Sequence, residues 1–192
     1  GELPPFTGGA VGYIGFDCMR YFEPVPLPSG VGLGLPDAAL LFCDEVHAYD
    51  HLRHRIVSMV HVPLDGDRDA AWEEGTRRIR AAQRALEAPL QLARTPWPAG
   101  DGASIEGLTS VNRSAENMRA AVSAARQSIG AGETFQVVVS QRVSVQCAVD
   151  PFVLYRALRA LNPSPYMFLL RWPGFSIVGA SPEVLVRAQN GQ

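Results

Sequence analysis

The stretch GETFQVVVSQR, Gly132 to Arg142, decides how the second half of this chain is read. A period of two sets Phe135, Val137, Val139, Val143 and Val145 on one face of a predicted strand and Gln136, Ser140 and Arg142 on the other. One face is expected to pack against a helix, the other to line a polar cavity. That helix precedes it: Ser114 is a capping residue, Met118, Val122, Ala125 and Ile129 recur at helical spacing, and Gly130 and Gly132 end the run. Downstream, Asp150-Pro151 pairs a cap with a first-turn proline and opens a short helix carrying Phe152, Tyr155, Leu158 and Leu161. NPSPY stops it, and MFLLRW and FSIVGASPEVLVR supply two more strands around a Pro173-Gly174 turn. Helices with mostly antiparallel strands in this order predict an α+β fold of mixed, mostly antiparallel sheets and flanking helices.

Upstream, Pro89 to Asn112 is rich in Pro, Gly, Ser and Thr and is the expected linker and domain boundary. Before it, DAAWEEGTRRIRAAQRALEA predicts an amphipathic helix with Trp72, Ile79, Ala82 and Leu86 on the packed face and Arg77, Arg78, Arg80 and Arg84 largely solvated. AALLFCDEVHAYDHLRHRIVSMVHV predicts a long apolar strand, a turn at Asp50 to Arg53 and a second strand. His47, His51 and His54 have a spacing that would join metal ligands on a helix, but the period here is that of a strand and His51 falls in the turn. FTGGAVGYIGFD predicts a bent strand whose glycines admit a close backbone. No helix signature follows, so it is no phosphate cradle, and GVGLGLPD runs into Pro36 as a loop.

The totals bound the partners. The chain has 192 residues, 47% of them apolar, and 17 Lys+Arg against 19 Asp+Glu, with no basic cluster to attract nucleic acid or an anionic membrane. Cys18, Cys43 and Cys147 form no CxxC pair and suggest neither a disulfide framework nor a zinc site, consistent with a reducing cytoplasm. No apolar run approaches the ~20 residues of a membrane span. The last ten residues, EVLVRAQNGQ, read as a strand and an Asn-Gly hairpin turn without a returning strand, so an internal fragment of a longer protein is expected.

Five segments together resemble component I of the anthranilate synthases, in the chorismate-utilising enzyme family: PPFTGGAVGYIGFD, RYFEPVPLP, GETFQVVVSQR, DPFVLYRALRALNPSPYMF and IVGASPEVLVR. The resemblance implies an incomplete version of that family's fold, with residues 1–107 the second half of the N-terminal domain and 108–192 the first part of the chorismate-binding domain. It implies that chorismate and ammonia become anthranilate and pyruvate in tryptophan biosynthesis, with a glutamine amidotransferase subunit or domain supplying ammonia and tryptophan as feedback inhibitor. Magnesium is implied as cofactor, its ligands beyond residue 192 and none within this chain.

The resemblance also assigns roles. In relatives that add water to chorismate, a lysine at the position of Gln136 activates the water. Ammonia brings its own lone pair, and an uncharged amide can orient it, so Gln136 implies an amine-installing enzyme. Taken alone, Gln136 reads instead as a polar side chain bonding to backbone at a strand entrance. Glu183, in Ser-Pro-Glu, matches the general acid that protonates the departing C4 hydroxyl of chorismate; taken alone it reads as a turn or ion-pairing residue. Pro165, Tyr166 and Met167 match the tryptophan pocket, where rigid prolines and a thioether suit an indole. Met167 favours the tryptophan pathway over aminodeoxychorismate synthase, the nearest alternative; a non-catalytic tryptophan-binding module is a third reading. Glu133-Thr134 in place of the common Asp-Ile, Phe16 in place of Tyr and Ala180 in place of Ser depart from the family pattern, and Glu133 adds a methylene beside Gln136.

Overall fold

The computed structural model describes residues 3–24, 32–90, 109–189 and 191. The chain forms two compact units, Gly1–Leu92 and Ala93–Gln192. The boundary expected near residue 107 and most of the expected linker lie outside the described residues.

In the first unit, β1 (Gly9–Ile14) pairs antiparallel with β2 (Ala38–Cys43), and β3 (Glu45–Asp50) with β4 (Arg55–Val60). The close approach expected of the glycine-rich segment is real at Gly12: a Cβ there would lie 1.9 Å from the carbonyl oxygen of Ala39 on the facing strand. A short 3-10 helix, Phe16–Tyr21, follows β1 and buries Cys18, whose thiol reaches the Asp37 carbonyl at 3.3 Å. The same Asp37 side chain takes hydrogen bonds from Arg20 and Tyr21, tying this helix to the start of β2.

The single long strand expected from residue 38 is instead two, broken at Asp44. The Asp44 carbonyl accepts from the His61 amide at 2.7 Å. Its carboxylate takes Arg78 Nη1 at 3.0 Å, while Glu45 takes Nη2 at 3.2 Å. Two adjacent acids at the break thus share one guanidinium, a side-chain pairing that hydrophobic periodicity does not encode. The turn falls where expected, with Asp50 Oδ1 accepting from the amides of Leu52 and Arg53 in an Asx-type arrangement.

Helix α1 (Arg68–Glu87) is capped by Asp67, whose side chain accepts from the Asp69 amide at 2.9 Å. It packs on β4 and buries Ala82. Three expectations for its faces are corrected. Trp72 is 77% exposed, and Arg78, expected in solvent, is half-buried in the ion pairs just described. Leu86, also expected on the packed face, is 50% exposed, while Ile79 and Ala82 keep their expected place.

In the second unit, β5 (Thr109–Val111) pairs antiparallel with β6 (Val143–Val145), and α2 (Ala115–Gly130) lies between them in the chain. Ser114 caps α2 as expected, its hydroxyl accepting from the Asn117 amide, and Gly132 turns the chain away with φ +78°. The half-buried residues of α2 are Met118, Ala121, Ala125 and Ser128; Val122 and Ile129 are each 42% exposed, so the packed face is rotated from the expected one. Helix α3 (Pro151–Leu161) starts on its Asp150 cap and first-turn proline and packs on the hairpin of β7 (Tyr166–Trp172) and β8 (Phe175–Ser181). Asp150 also pairs with Arg171 on β7 at 2.8 Å, tying the helix start to the sheet.

The expected strand 135–145 forms only at Val143–Val145. Residues 133–142 have no ladder partner among the described residues, and Phe135 is 92% exposed. The alternation of the sequence is that of a strand, but a strand exists only by its neighbour's hydrogen bonds. The run EVLVR, expected to continue β8, is likewise not in a strand, and Leu185 is 99% exposed. Every pairing among the described residues is antiparallel, and with three α-helices beside them the units have the expected α+β character.

Candidate active site

The residues singled out by the sequence fall on two parts of the second unit. Tyr166 and Met167 open β7 with Pro165 immediately before it, and Glu183 lies two positions beyond the last residue of β8. Because β7 and β8 form a hairpin, its open end brings these motifs together: Tyr166 faces Ser181 and Met167 faces Ala180 across the ladder. One glycine makes that pairing fit. A Cβ at Gly179 would lie 2.2 Å from the ring of Phe168, the residue it faces, so the aromatic covers the site a side chain would need.

Beyond the last backbone pair, serine hydroxyls extend the connection. Ser164 Oγ donates to the Ser181 carbonyl, and Ser181 Oγ donates to the Glu183 carbonyl at 3.0 Å. Ser164 Oγ also accepts from the Tyr166 amide at 3.4 Å. Sequence reasoning passed over both serines. The available signal was Ser164 between Pro163 and Pro165: the proline at 165 has no N–H of its own, leaving the hydroxyl to organise the turn. Met167 is half-buried, while Pro165, Tyr166 and Glu183 are exposed.

Gln136 sits elsewhere, on the irregular segment after α2. Its carbonyl accepts from Thr134 Oγ1 at 3.1 Å, and its side chain is exposed. The entry to this segment is pinned by the Glu133 amide, which donates to the Ser128 carbonyl at 3.0 Å. Val137, Val138 and Val139 then line an open groove with Ala121, Ala124 and Ser128 of α2. The exit is pinned by Asn112, whose Oδ1 accepts from the Arg142 amide at 2.8 Å, and by Gln141 Nε2 on the Arg113 carbonyl at 2.9 Å. The segment bearing Gln136 is thus pinned at both ends, by a backbone bond at its entry and by side chains at its exit. Among the described residues, no hydrogen bond or ion pair joins it to Glu183 or the hairpin.

Among the described residues, no three His, Cys, Asp or Glu side chains converge to hold a cation. These residues therefore assign no ligand to the magnesium implied by the resemblance. The histidines have other engagements: His47 contacts Ser58 at 3.0 Å and Glu45 at 3.2 Å, and His61 Nε2 lies 2.8 Å from the Thr7 carbonyl. No helix among the described residues is long and apolar enough to cross a membrane.

The model of one family, described as "chorismate binding enzyme", matches residues 2–192. The chain belongs to the chorismate binding enzyme family. Several relatives share one name. The chain is 39% identical over 197 residues to anthranilate synthase component 1 of Acetivibrio thermocellus, covering 99% of this chain and 39% of that protein. It is 41% identical over 187 residues to the protein of that name from Thermus thermophilus, covering 97% and 38%. The crystal structure of anthranilate synthase component I from Streptococcus pneumoniae superposes with a TM-score of 0.75 at 27% identity, over all of this chain and 42% of that one. The fold expected from the sequence is therefore that of a chorismate binding enzyme, of which this chain spans about 39% of the length of the relatives it matches.

Proposed function

We propose that this chain is part of the synthase component of an anthranilate synthase, which converts chorismate and ammonia to anthranilate, pyruvate and water. The observation that carries the proposal is the agreement of relatives at 37–41% identity, each spanning 97–99% of this chain and bearing the anthranilate synthase component 1 name. In this reading chorismate is the substrate, a glutamine amidotransferase subunit or domain delivers ammonia, and tryptophan is the feedback inhibitor. The location is cytoplasmic, and magnesium is held by ligands that the described residues do not supply.

Each assigned side chain has one task. Ammonia adds at C2 of chorismate as the C4 hydroxyl departs, and Glu183 gives its proton so that the group leaves as water. Hydroxide is a poor leaving group, and a positioned acid is worth roughly 10²–10⁴-fold in rate. Gln136 orients the ammonia by hydrogen bonding and takes no proton itself. Loss of pyruvate then gives the aromatic ring. Pro165, Tyr166 and Met167 form part of the inhibitor pocket.

The test is product analysis of the full-length enzyme with chorismate, ammonium and magnesium. Anthranilate with stoichiometric pyruvate is expected. A product that keeps the pyruvyl group and carries nitrogen at C4 would move the chain to aminodeoxychorismate synthesis. Tryptophan binding without any turnover would make it a regulatory module.

A further inference from the structure

The hydrogen bonds at the open end of the β7–β8 hairpin reach further than a turn requires. Backbone pairing ends at Tyr166 and Ser181, and residues 182–189 are not in a strand. The turn bearing Glu183 would be free to swing from that point. It is instead anchored by two hydroxyls in series: Ser164 Oγ on the Ser181 carbonyl, and Ser181 Oγ on the Glu183 carbonyl. Ser164 is fixed in turn from behind, accepting the Tyr166 amide. The path from the paired strand to Glu183 thus runs through side chains. Proline at 182 limits the backbone between the two ends without contributing a donor.

We propose that Ser164 is a positioning residue for Glu183, holding the Ser181–Glu183 turn in register with β7 so that the carboxyl meets the leaving hydroxyl. This rests on the acid role of Glu183 given above. In this role Ser164 touches no reacting atom; it acts by reducing the arc over which Glu183 can wander. Removing it should therefore lower kcat and spare chorismate binding, because a misplaced acid weakens the transition state more than the ground state.

The experiment uses the full-length enzyme and four variants. Ser164→Ala is expected to lower kcat about fivefold to tenfold, the worth of one hydrogen bond, with the KM for chorismate within about twofold. The descending limb of the kcat–pH profile, which reports the acid in the bound complex, should shift. Ser164→Thr, which keeps the hydroxyl, should restore both, and Ser181→Ala should reproduce the loss. Glu183→Gln separates the two ideas. If it abolishes most turnover while Ser164→Ala and Ser181→Ala leave kcat and the pH limb unchanged, the acid stands and the positioning role is refuted. If Glu183→Gln itself keeps near-normal turnover, the acid role falls and the positioning role falls with it. Should Ser164→Ala fail to fold, Ser181→Ala decides: unchanged kcat and pH limb overturn the proposal, and a depressed kcat with unchanged KM supports it.

Discussion

Replacing Gly12 with alanine tests the pairing on which the first unit is built. Gly12 faces Leu40 in the β1–β2 ladder and has no positive φ, so its backbone conformation does not demand glycine. Space does. The added methyl would sit 1.9 Å from the Ala39 oxygen and 2.9 Å from both the Ala39 carbonyl carbon and the Leu40 Cα. Even a close C–H···O contact needs roughly 3.3 Å, so the strands must part by more than an ångström locally. The obstructing atoms are backbone and cannot rotate away as a side chain would. Two flanking ladder bonds, at about 1 kcal/mol each, and overpacking strain of about 1–3 kcal/mol give a cost of about 3 kcal/mol or more. Because about 1.4 kcal/mol is tenfold in an opening equilibrium, the amides of β2 should exchange with solvent about 100-fold faster in Gly12→Ala. Hydrogen exchange followed by mass spectrometry on peptides spanning residues 38–43 reads this directly. Gly75→Ala is the control. A Cβ there meets Val62 Cγ1 at an ordinary 3.6 Å, so the substitution should stabilise α1 by about 1 kcal/mol and leave β2 protection unchanged. Protection of β2 within about twofold of wild type in Gly12→Ala would refute the steric reasoning.

Three further outcomes are expected. The Asp150 carboxyl is held below its usual value, chiefly by the Phe152 amide and also by Arg171. Its contribution is therefore complete above the unfolded value of about 4 and is lost as pH falls through the lower folded value. Protection of α3 amides should fall in that acid window in wild type, whereas Asp150→Asn, which still caps but does not titrate, should not show this loss; identical acid profiles would contradict it. In the full-length enzyme, Met167→Thr should raise the tryptophan concentration needed for half-inhibition while sparing most activity, as inhibition curves would record; an unchanged curve removes Met167 from the effector pocket. Gln136→Ala should raise the ammonium KM more than it lowers kcat, since lost positioning is partly offset by concentration, and Gln136→Lys should depress anthranilate formation; unaltered ammonium dependence returns Gln136 to a structural role.

The elements legible in the sequence were those whose signals are local. Ser114 and Asp150 announce helices because a cap and its amide lie within three residues of each other, and the Pro173-Gly174 turn announces the β7–β8 hairpin for the same reason. Gly12 was also readable, because a glycine amid apolar residues in a strand points to a close backbone. What failed was set by distant partners. The acids at the Asp44 break pair with Arg78, 34 positions away, and those pairs hold Arg78 half-buried where periodicity put it in solvent. The alternation from Phe135 onward is genuine, yet only Val143–Val145 finds a partner strand. For the site, family motifs singled out the candidate residues. They did not reveal that the hairpin places the Ser-Pro-Glu motif against NPSPYM, because strand register is a pairing between residues 15 apart.

Asp44 also bears on how this sequence can change. β2 and β3 are separated by one residue yet belong to different sheets, so that residue sets the phase between two ladders. The turn at residues 51–54 is exposed and returns to the same ladder, so chain length there can vary without disturbing the strands on either side. At position 44 a single inserted residue would turn every subsequent side chain of β3 to the opposite face and carry Glu45 away from Arg78. Length variation among homologous chains should therefore concentrate in the 51–54 turn and be absent at the joint, where even a conservative lengthening would separate two ladders that now share one corner.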